Sequence, residues 1–303
     1  MNNGTRVGLD IGATKALGAV IEADGTVVAQ SRQTTLPGAD GILSTVTTVL
    51  DSLAKVLDGV LPSPIGIGIP GIVDRDRGAV SLAVNLGLGA EWFPLASLLA
   101  DRTGAAVRVE NDLNAATWGA HVISGVDDLA YLSLGTGLAA GFVLSGTLRR
   151  GAYGAAGEIG HVPVDPAGPR CPCGQRGCLE LRASGSALLS SPAAGGQAPP
   201  AATIFAAAAS GNPEAIAARD RFVSGVADAI RMIGLAVDPA AVLIGGGVAE
   251  VGEPLLAAVT GALRAQAHAS PFLAALDLAS RVRLLPREVP VGAIGAALIG
   301  NSD

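Results

Sequence analysis

The arrangement of the cysteines constrains this chain more than any other feature of its sequence. The three cysteines fall between residues 171 and 178, and one histidine precedes the first of them by ten residues. The pattern, H-x9-C-x-C-x4-C, supplies an imidazole and three thiolates, which is a full tetrahedral donor set for zinc. The four predicted ligands are His161, Cys171, Cys173 and Cys178. Gly174 and Gly177 permit the tight loop that would bring these ligands to one point.

A metal held by four protein side chains has no open coordination position, so the predicted zinc would be structural rather than hydrolytic. The alternative is a cluster of three buried free thiols, which the close spacing disfavours. Structural disulfides are not expected, because the cysteine count is odd and the chain has the character of a cytoplasmic protein.

The composition excludes several classes of protein. A net charge of −6, with Lys15 and Lys55 as the only lysines, offers no basic cluster for binding nucleic acid. No apolar stretch of about 18 residues is free of proline, charge and glycine clusters, so no membrane span is predicted. The polar residues 1–6 do not resemble a signal peptide. With 50% hydrophobic residues over 303 positions, we expect a cytoplasmic protein of two domains or one large one.

Three glycine-rich turns each lie at the end of a strand-like apolar run. They are residues 10–15 (DIGATK), 134–137 (LGTG) and 245–247 (GGG). Backbone N–H groups that converge at such turns bind anions, because no Cβ blocks the approach. The sequence has neither a P-loop pattern nor a GxGxxG string that opens a helix. Three such turns, one of them with Asp10, Thr14 and Lys15, favour a nucleotide as the ligand.

The first two turns belong to segments that resemble each other at an offset of 123 residues. At this offset Gly12 aligns with Gly135 and Thr14 with Gly137, and an apolar strand follows each turn. The chain therefore shows two similar strand–turn–strand units, although short glycine-rich hairpins also resemble each other by chance. Apolar residues recur at helical spacing in residues 40–60, and a further helix is predicted over 213–237.

Two groups of polar residues could serve a substrate hydroxyl. Glu110, Asn111 and Asp112 follow an apolar strand, where a carboxylate beside an amide can hold a hydroxyl and take its proton. The alternative is that they cap the next helix, since Asn and Asp are common N-caps. Glu158 and Glu180 flank residues 171–178, the cysteine loop. They could bind a polyol together with His161, or could be ordinary surface carboxylates.

In these stretches the chain resembles the ROK family (repressor, open reading frame, kinase). The string GEIGH followed by CPCGQRGCLE is highly specific, and DIGATK differs from the common family form DIGGTK at Ala13. The resemblance implies an α/β fold with two actin-like (ribonuclease H-like) domains and a cleft between them. It predicts a smaller domain of residues 1–111 plus a C-terminal helix 290–303, and a larger domain of residues 112–289 that carries the zinc loop.

The resemblance also implies a role for each matching residue. Asp112 matches the base that takes the proton of the sugar hydroxyl, and Asp10 matches the residue that positions Mg²⁺. The residues that match sugar ligands are Gly71, Asn85, Asn111, Asp112, Glu158, His161 and Glu180. The residues that match the nucleotide site are Asp10, Gly12, Thr14, Lys15, Gly135, Thr136, Gly137, Gly246 and Gly247. His161 would have two tasks, with one ring nitrogen on zinc and the other on the sugar.

The chain departs from the family pattern at two places. The first bears on specificity, and the second replaces small residues by small residues. Leu88 stands where many family kinases have Trp, which leaves the identity of the sugar open, and the second phosphate turn is GTGLAAG rather than GTGxGGG.

About six residues precede Val7, too few for a helix-turn-helix module, so a kinase is favoured over a repressor. ATP is favoured over polyphosphate, because the polyphosphate-using branch lacks the cysteine loop.

The resemblance thus implies a cytoplasmic ATP:hexose 6-phosphotransferase, with glucokinase activity favoured. Its ligands would be a sugar, ATP, Mg²⁺ and a structural Zn²⁺, without nucleic acid or membrane partners. An N-acetylhexosamine kinase, a fructose kinase and a non-catalytic sugar-sensing protein of the family stay open as alternatives. Family members are commonly dimers, so a homodimer is expected.

Overall fold

The computed structural model describes residues 4–190, 201–286 and 288–299. The chain divides into two compact units, the first made of Met1–Asp127 with Glu288–Asp303 and the second of Asp128–Arg287. Both units combine a five-stranded sheet with helices, so the predicted α/β class is confirmed. None of the described helices combines the length and the apolar character that crossing a bilayer requires.

The first unit contains a five-stranded sheet, a two-stranded sheet and four α-helices among its described residues. Its strands are β1 (Arg6–Ile11), β2 (Lys15–Ile21), β3 (Val27–Thr34), β4 (Ile65–Ile69), β5 (Ile72–Asp74), β6 (Ala79–Ser81) and β7 (Val107–Asn111). Its α-helices are α1 (Ala39–Ala54), α2 (Leu95–Thr103), α3 (Asp112–Ser124) and α10 (Val291–Leu298), and short 3₁₀ helices span Lys55–Leu57 and Val84–Leu86. The main sheet has the order β3-β2-β1-β4-β7, with β1, β4 and β7 parallel and β1, β2 and β3 antiparallel.

Glycines in the central strands let α10 lie directly against the sheet. A Cβ at Gly8 in β1 would collide with the carbonyl of Ala293, and one at Gly66 in β4 with that of Ala296. The alternation of isoleucine and glycine in β4 (IGIGI) therefore buries large side chains on one face and admits the helix backbone on the other. Side chains of α1 cover the face of β2 that carries Gly18.

Helix α3 packs against α10 in the first unit. A Cβ at Gly119 would collide with the carbonyl of Val291, and one at Gly295 with that of Ala115. The first unit therefore extends to Asp127, beyond the boundary predicted after residue 111. The helix predicted over 290–303 is observed as α10, Val291–Leu298, and residues 300–303 lie outside the described residues.

The second unit has a five-stranded sheet of order β10-β9-β8-β11-β12. Its strands are β8 (Leu129–Leu134), β9 (Leu138–Leu144), β10 (Thr147–Leu148), β11 (Ala241–Gly245) and β12 (Val282–Leu284). Its α-helices are α4 (Glu180–Ala183), α5 (Gly185–Leu189), α6 (Ala201–Ala209), α7 (Pro213–Ala236), α8 (Glu253–His268) and α9 (Pro271–Leu276). Its 3₁₀ helices span Ile159–His161, Gly247–Val251 and Leu278–Arg281.

The two five-stranded sheets have the same topology. In each, three antiparallel strands are followed by two more strands parallel to the first. The offset of 123 residues relates the end of β1 at Ile11 to the end of β8 at Leu134, and the start of β2 at Lys15 to the start of β9 at Leu138. The internal resemblance therefore reflects two units with a common plan rather than a chance likeness of two hairpins.

Candidate active site and metal centre

The parallel strands of the first unit bring most of its predicted site residues to one edge. Asp10 in β1 pairs with Gly68 in β4, which pairs with Glu110 in β7. The first glycine turn, Gly71 and Asp112 follow directly after these three strands. Ligands of open parallel sheets bind at this carboxyl edge, so the register alone gathers the predicted base and the predicted magnesium residue.

Electrostatics link the two aspartates at this edge. Burial raises the pKa of Asp10 to about 7, and the Asp112 carboxylate adds to the rise while Lys15 opposes it. Two carboxylates that repel each other form a favourable place for a cation, because a bound Mg²⁺ would offset both charges.

Asn111 is the N-cap of α3 and at the same time ties that helix to Gly71. Its Oδ1 accepts hydrogen bonds from the N–H groups of Leu113 (3.0 Å) and Asn114 (3.2 Å), and its Nδ2 donates to the Gly71 carbonyl (3.2 Å). Asp112 is then the first residue of the helix, where the exposed N–H groups and the helix dipole favour a negative charge.

A buried carboxylate lies behind Asn111 and Asp112. The side chain of Glu110 is only 3% exposed, and its Oε1 accepts from the Asn111 N–H and from Asn114 Nδ2, both at 3.0 Å. Its Oε2 lies 3.2 Å from Nε of Arg75, which follows β5. This network fixes the start of α3 and connects it to the β5–β6 hairpin.

The predicted sugar ligand Asn85 lies on the 3₁₀ helix Val84–Leu86 and is exposed. The backbone at Gly71 packs closely against the segment that precedes this helix, since a Cβ there would lie 2.6 Å from the Ser81 carbonyl oxygen. Leu88, at the position of the family Trp, is buried in the core of the first unit.

The first glycine turn exposes two backbone N–H groups. Its ends are closed by a hydrogen bond from Gly12 N–H to the Lys15 carbonyl (2.9 Å), and residues 13–15 are exposed. Among the hydrogen bonds of the described residues, none engages the N–H groups of Ala13 and Thr14. They are thus available to an anion, and the charged Lys15 side chain is close by.

The second glycine turn, 123 residues later, is closed in a similar way but by a bond that spans one residue fewer. Gly135 N–H bonds to the Gly137 carbonyl (3.1 Å), and in the described parts of the chain the N–H groups of Thr136 and Gly137 have no protein acceptor. These two positions correspond to Ala13 and Thr14. Both turns therefore present N–H groups at equivalent places, as expected for two parts that bind phosphate.

The third turn lies beside the second, because β11 and β8 are parallel neighbours. Gly246 has a φ of 85° and packs on the backbone of Leu134, with 2.6 Å between its ideal Cβ position and the Leu134 carbonyl oxygen. Both Gly246 and Gly247 are exposed and precede the body of the 3₁₀ helix Gly247–Val251.

Glu180 contacts the second glycine turn. Its Oε2 accepts the N–H of Leu138 at 3.0 Å, and a Cβ at Gly137 would lie only 2.5 Å from the same oxygen. Glu180 is also the first residue of α4, two residues after Cys178. A predicted sugar ligand therefore joins the cysteine loop to a predicted phosphate turn, which the sequence did not indicate.

The four predicted metal ligands converge. The ligand atoms of His161, Cys171, Cys173 and Cys178 all lie within 4.8 Å of one another. The Cys173 and Cys178 sulfurs are 3.6 Å apart, and the Cys171 sulfur is 3.9 Å from Nδ1 of His161. At a Zn–S distance of about 2.3 Å, tetrahedral ligands stand about 3.8 Å apart, so the geometry fits zinc.

The chemistry of the thiols also fits a cation. Burial and the neighbouring cysteines raise the pKa of Cys178 to about 12, whereas a backbone hydrogen bond at Gln175 lowers the pKa of Cys173 to about 7. Three thiolates packed this closely require a positive charge among them. The Gln175 side chain supports the loop by donating to the His161 carbonyl at 3.0 Å.

His161 has its two ring nitrogens in different surroundings. Nδ1 faces the cysteines, while Nε2 lies 4.0 Å from Oε2 of the exposed Glu158. This orientation is compatible with one nitrogen on a metal and the other, with Glu158, directed to a ligand.

Sequence reasoning missed three side chains that support the site. The sequence indicates Glu110 only as a strand-end carboxylate, and no motif includes Thr35 or Arg75. Thr35 is 6% exposed and hydrogen-bonds to the first glycine turn. No periodicity marks these residues, because their partners are distant in sequence.

The comparison with known proteins agrees with this geometry. The sequence profile of the ROK family matches residues 6–299. A glucokinase from Thermotoga maritima is 34% identical over 269 residues, which cover 82% of this chain and 84% of that protein. An N-acetylmannosamine kinase from Citrobacter koseri is 32% identical over 305 residues, covering 97% of this chain and 98% of that protein.

Among solved structures, a ROK family glucokinase from Streptomyces griseus in complex with glucose and AMPPNP is 30% identical with a TM-score of 0.81. That match covers 98% of this chain and 99% of the other. Since the family profile spans nearly all of the described residues and relatives above 30% identity cover most of the chain, the chain belongs to the ROK family.

Proposed function

We propose that this chain is an ATP- and Mg²⁺-dependent hexose kinase that phosphorylates the 6-hydroxyl of glucose. The observation that carries the proposal is the meeting of Asp10, Asp112 and an anion-binding turn at one edge of the first sheet. The similarity to a glucokinase whose structure holds glucose and AMPPNP supports it.

In the proposed reaction Asp112 accepts the proton of the sugar 6-hydroxyl. The oxygen attacks the γ-phosphorus of ATP, the bond from that phosphorus to the bridging β,γ-oxygen breaks, and ADP leaves. Phosphoryl transfer depends mainly on positioning and on stabilising charge. The free N–H groups of the two glycine turns supply part of that stabilisation, and Gly246 and Gly247 serve the adenosine side.

Asp10 would help to hold a magnesium ion, which would supply positive charge to neutralise the transferred phosphate. The residues at that edge fit such an ion, since burial and repulsion disfavour the Asp10 carboxylate unless a cation is present. Zinc on the His161–cysteine set would have a structural role and fix the orientation of the His161 ring.

We propose that the sugar ligands are the residues that match those of the family. Gly71, Asn85 and Asn111 belong to the first unit, and Glu158, His161 and Glu180 belong to the second. In the described part of the chain, one Nδ2 hydrogen of Asn111 has no acceptor and could serve a ligand, because Oδ1 caps α3 and the other Nδ2 hydrogen bonds to Gly71.

A coupled assay of ADP release across glucose, N-acetylglucosamine, N-acetylmannosamine, fructose and allose tests the proposal. We expect kcat/KM to be highest for glucose and ADP release to require Mg²⁺. In a separate assay of glucose 6-phosphate formation, replacing ATP by polyphosphate should abolish turnover.

N-acetylmannosamine is the second candidate substrate, because the relative from Citrobacter koseri aligns over 97% of this chain and Leu88 departs from the common Trp. A higher kcat/KM for N-acetylmannosamine than for glucose would overturn the choice of glucose. Sugar binding without ADP release from any sugar would instead support a sugar-sensing protein.

We further propose that the chain forms a homodimer, as family members commonly do. A kinase that consumes ATP and a cytoplasmic sugar is expected in the cytoplasm.

A further inference from the structure

Thr35, the residue directly after β3, lies behind the first glycine turn. Its Oγ1 donates a hydrogen bond to the Gly12 carbonyl at 2.8 Å, and its backbone N–H donates to the Thr14 carbonyl at 3.2 Å. Thr35 is 6% exposed although it is polar. A buried hydroxyl is retained where its hydrogen bond fixes a backbone conformation, because leaving the carbonyl unpaired would be costly.

The second glycine turn is held at the equivalent place by different donors. The Gly135 carbonyl, which corresponds to that of Gly12, accepts the N–H of Gly185 at 2.8 Å. The next carbonyl, that of Thr136, accepts the N–H of Ser186 at 3.2 Å. Both units therefore hold the turn carbonyls by donors from a neighbouring segment, which is the threonine after β3 in the first unit and the start of α5 in the second.

The hydrogen bonds from Thr35 determine which way the N–H groups of the first glycine turn point. In a trans peptide group the C=O and the N–H point in opposite directions, so the bond to the Gly12 carbonyl turns the Ala13 N–H away from Thr35. The Thr14 N–H lies between that peptide group and the Thr14 carbonyl, which Thr35 also holds. In the described residues the N–H groups of Ala13 and Thr14 are the ones left without a protein acceptor. The hydroxyl of Thr35 thus sets where the turn presents its donors, although Thr35 is itself buried.

We propose that Thr35 is a positioning residue for nucleotide phosphate: it holds the first glycine turn so that the N–H groups of Ala13 and Thr14 face the phosphate. This inference rests on the proposed kinase function and adds to it a residue outside the glycine motif. It assigns Thr35 an effect on ATP and not on the sugar.

Thr35→Val tests the inference, because valine keeps the volume and removes the hydroxyl, whereas Thr35→Ser keeps the hydroxyl. The matched control is Thr117→Val, since Thr117 is fully buried in the same unit and its Oγ1 donates to a backbone carbonyl, that of Leu113, at 2.7 Å. Binding of AMPPNP with Mg²⁺ is measured by calorimetry without sugar, and the KM values for ATP and glucose are measured by ADP release.

We expect Thr35→Val to weaken AMPPNP binding and to raise the KM for ATP by roughly 3- to 10-fold, the usual effect of one lost hydrogen bond. The KM for glucose should stay within about twofold, and Thr35→Ser and Thr117→Val should bind AMPPNP like the wild type. Unchanged AMPPNP binding by Thr35→Val, or an equal loss in Thr35→Ser or Thr117→Val, would overturn the inference.

Hydrogen exchange on the wild-type protein gives a second measurement that needs no variant. AMPPNP should slow amide exchange in the segment 12–15, and unchanged exchange there would also overturn the inference. A wild-type protein that neither binds AMPPNP nor phosphorylates any sugar would refute the proposed function itself. A wild type that does both, with Thr35→Val behaving identically, would refute only the role of Thr35.

Discussion

At the scale of single residues, Asp112 carries the proposed proton transfer, and one substitution isolates that step. Asp112→Asn should leave folding, glucose binding and AMPPNP binding nearly intact, because the α3 cap is made by Asn111. Turnover should fall by roughly 10²- to 10⁴-fold, the usual contribution of a general base. ADP-release kinetics measure the effect.

The control is Asp24→Asn, whose side chain can still accept the Thr26 N–H that Asp24 accepts at 2.9 Å. That variant should turn over like the wild type. Wild-type turnover in Asp112→Asn would remove Asp112 from the mechanism.

Asp10 predicts a pH dependence of stability. Burial, with repulsion from Asp112, raises the pKa of Asp10 from 3.8 to about 7. Between these values the folded chain keeps a proton that the unfolded chain releases, so stability present below pH ~4 is lost as the pH rises through about 7. With EDTA present, the Tm of Asp10→Asn should exceed that of the wild type at pH 8, and the difference should shrink towards pH 4.

Added Mg²⁺ should raise the Tm of the wild type at pH 8 and leave Asp10→Asn unchanged, as followed by scanning calorimetry. A Tm difference that does not vary with pH would contradict the origin assigned to the shifted pKa of Asp10.

Individual residues show how far the site could be predicted. For Asn111 the sequence supported both a helix cap and a substrate ligand, and the structure shows the cap while leaving the ligand role a prediction. The convergence of His161 and the three cysteines could be predicted, because four such donors in a short segment have few other uses. Zinc binding itself stays a prediction. Thr35 could not, because its role depends on where β3 ends relative to a turn more than twenty residues earlier.

At the scale of elements, the contact between α3 and α10 predicts that one added methyl group lowers the stability of the fold strongly. In Gly295→Ala the new Cβ would collide with the carbonyl of Ala115, so we expect destabilisation of roughly 1–3 kcal/mol or more. The matched control is Gly261→Ala in α8, where a Cβ meets nothing within 4 Å. It should stabilise by about 0.5–1 kcal/mol, because alanine favours a helix over glycine.

Urea denaturation of the two variants measures both effects. Equal stability of Gly295→Ala and the wild type would show that the two helices are not as closely packed as described.

The cysteine loop predicts that loss of its metal affects the KM for glucose more than the KM for ATP. Elemental analysis should find one zinc per chain, and Cys173→Ser should lose it. Freed from the metal, His161 can rotate and Glu180 can shift, so the KM for glucose should rise roughly 10-fold or more. The KM for ATP should change less, because Gly185 and Ser186 still hold the second glycine turn.

Arg170→Ala serves as the control for the cysteine loop, since this exposed side chain precedes Cys171 and has no place in the metal set. Active protein purified without metal, or normal glucose binding by Cys173→Ser, would contradict the structural zinc.

The helices can be predicted from the spacing of their apolar residues rather than from motifs. Helical spacing over residues 40–60 predicts a helix, which the structure places at Ala39–Ala54. Likewise, the helix predicted over 213–237 is Pro213–Ala236. The pattern of a helix does not show what the helix packs against, so the sequence alone does not indicate that α3 belongs to the first unit.

At the scale of the whole molecule, a homodimer is expected, and light scattering at micromolar concentration tests it. The measured mass should be about twice the 29.8 kDa of one chain. A stable monomer across the concentrations used in the assay would refute the expectation, while leaving the proposed chemistry of one chain untouched.

The discontinuous first unit has a consequence for synthesis on the ribosome. Strands β1 and β4 are synthesised early. Helix α10 covers the face of these strands that carries Gly8 and Gly66, and it is synthesised only after the entire second unit. At the usual rate of translation the interval is on the order of 10 to 40 s. During that time the nascent first unit has an uncovered apolar face, so the second unit can finish folding before the first, against the order in which their strands are translated.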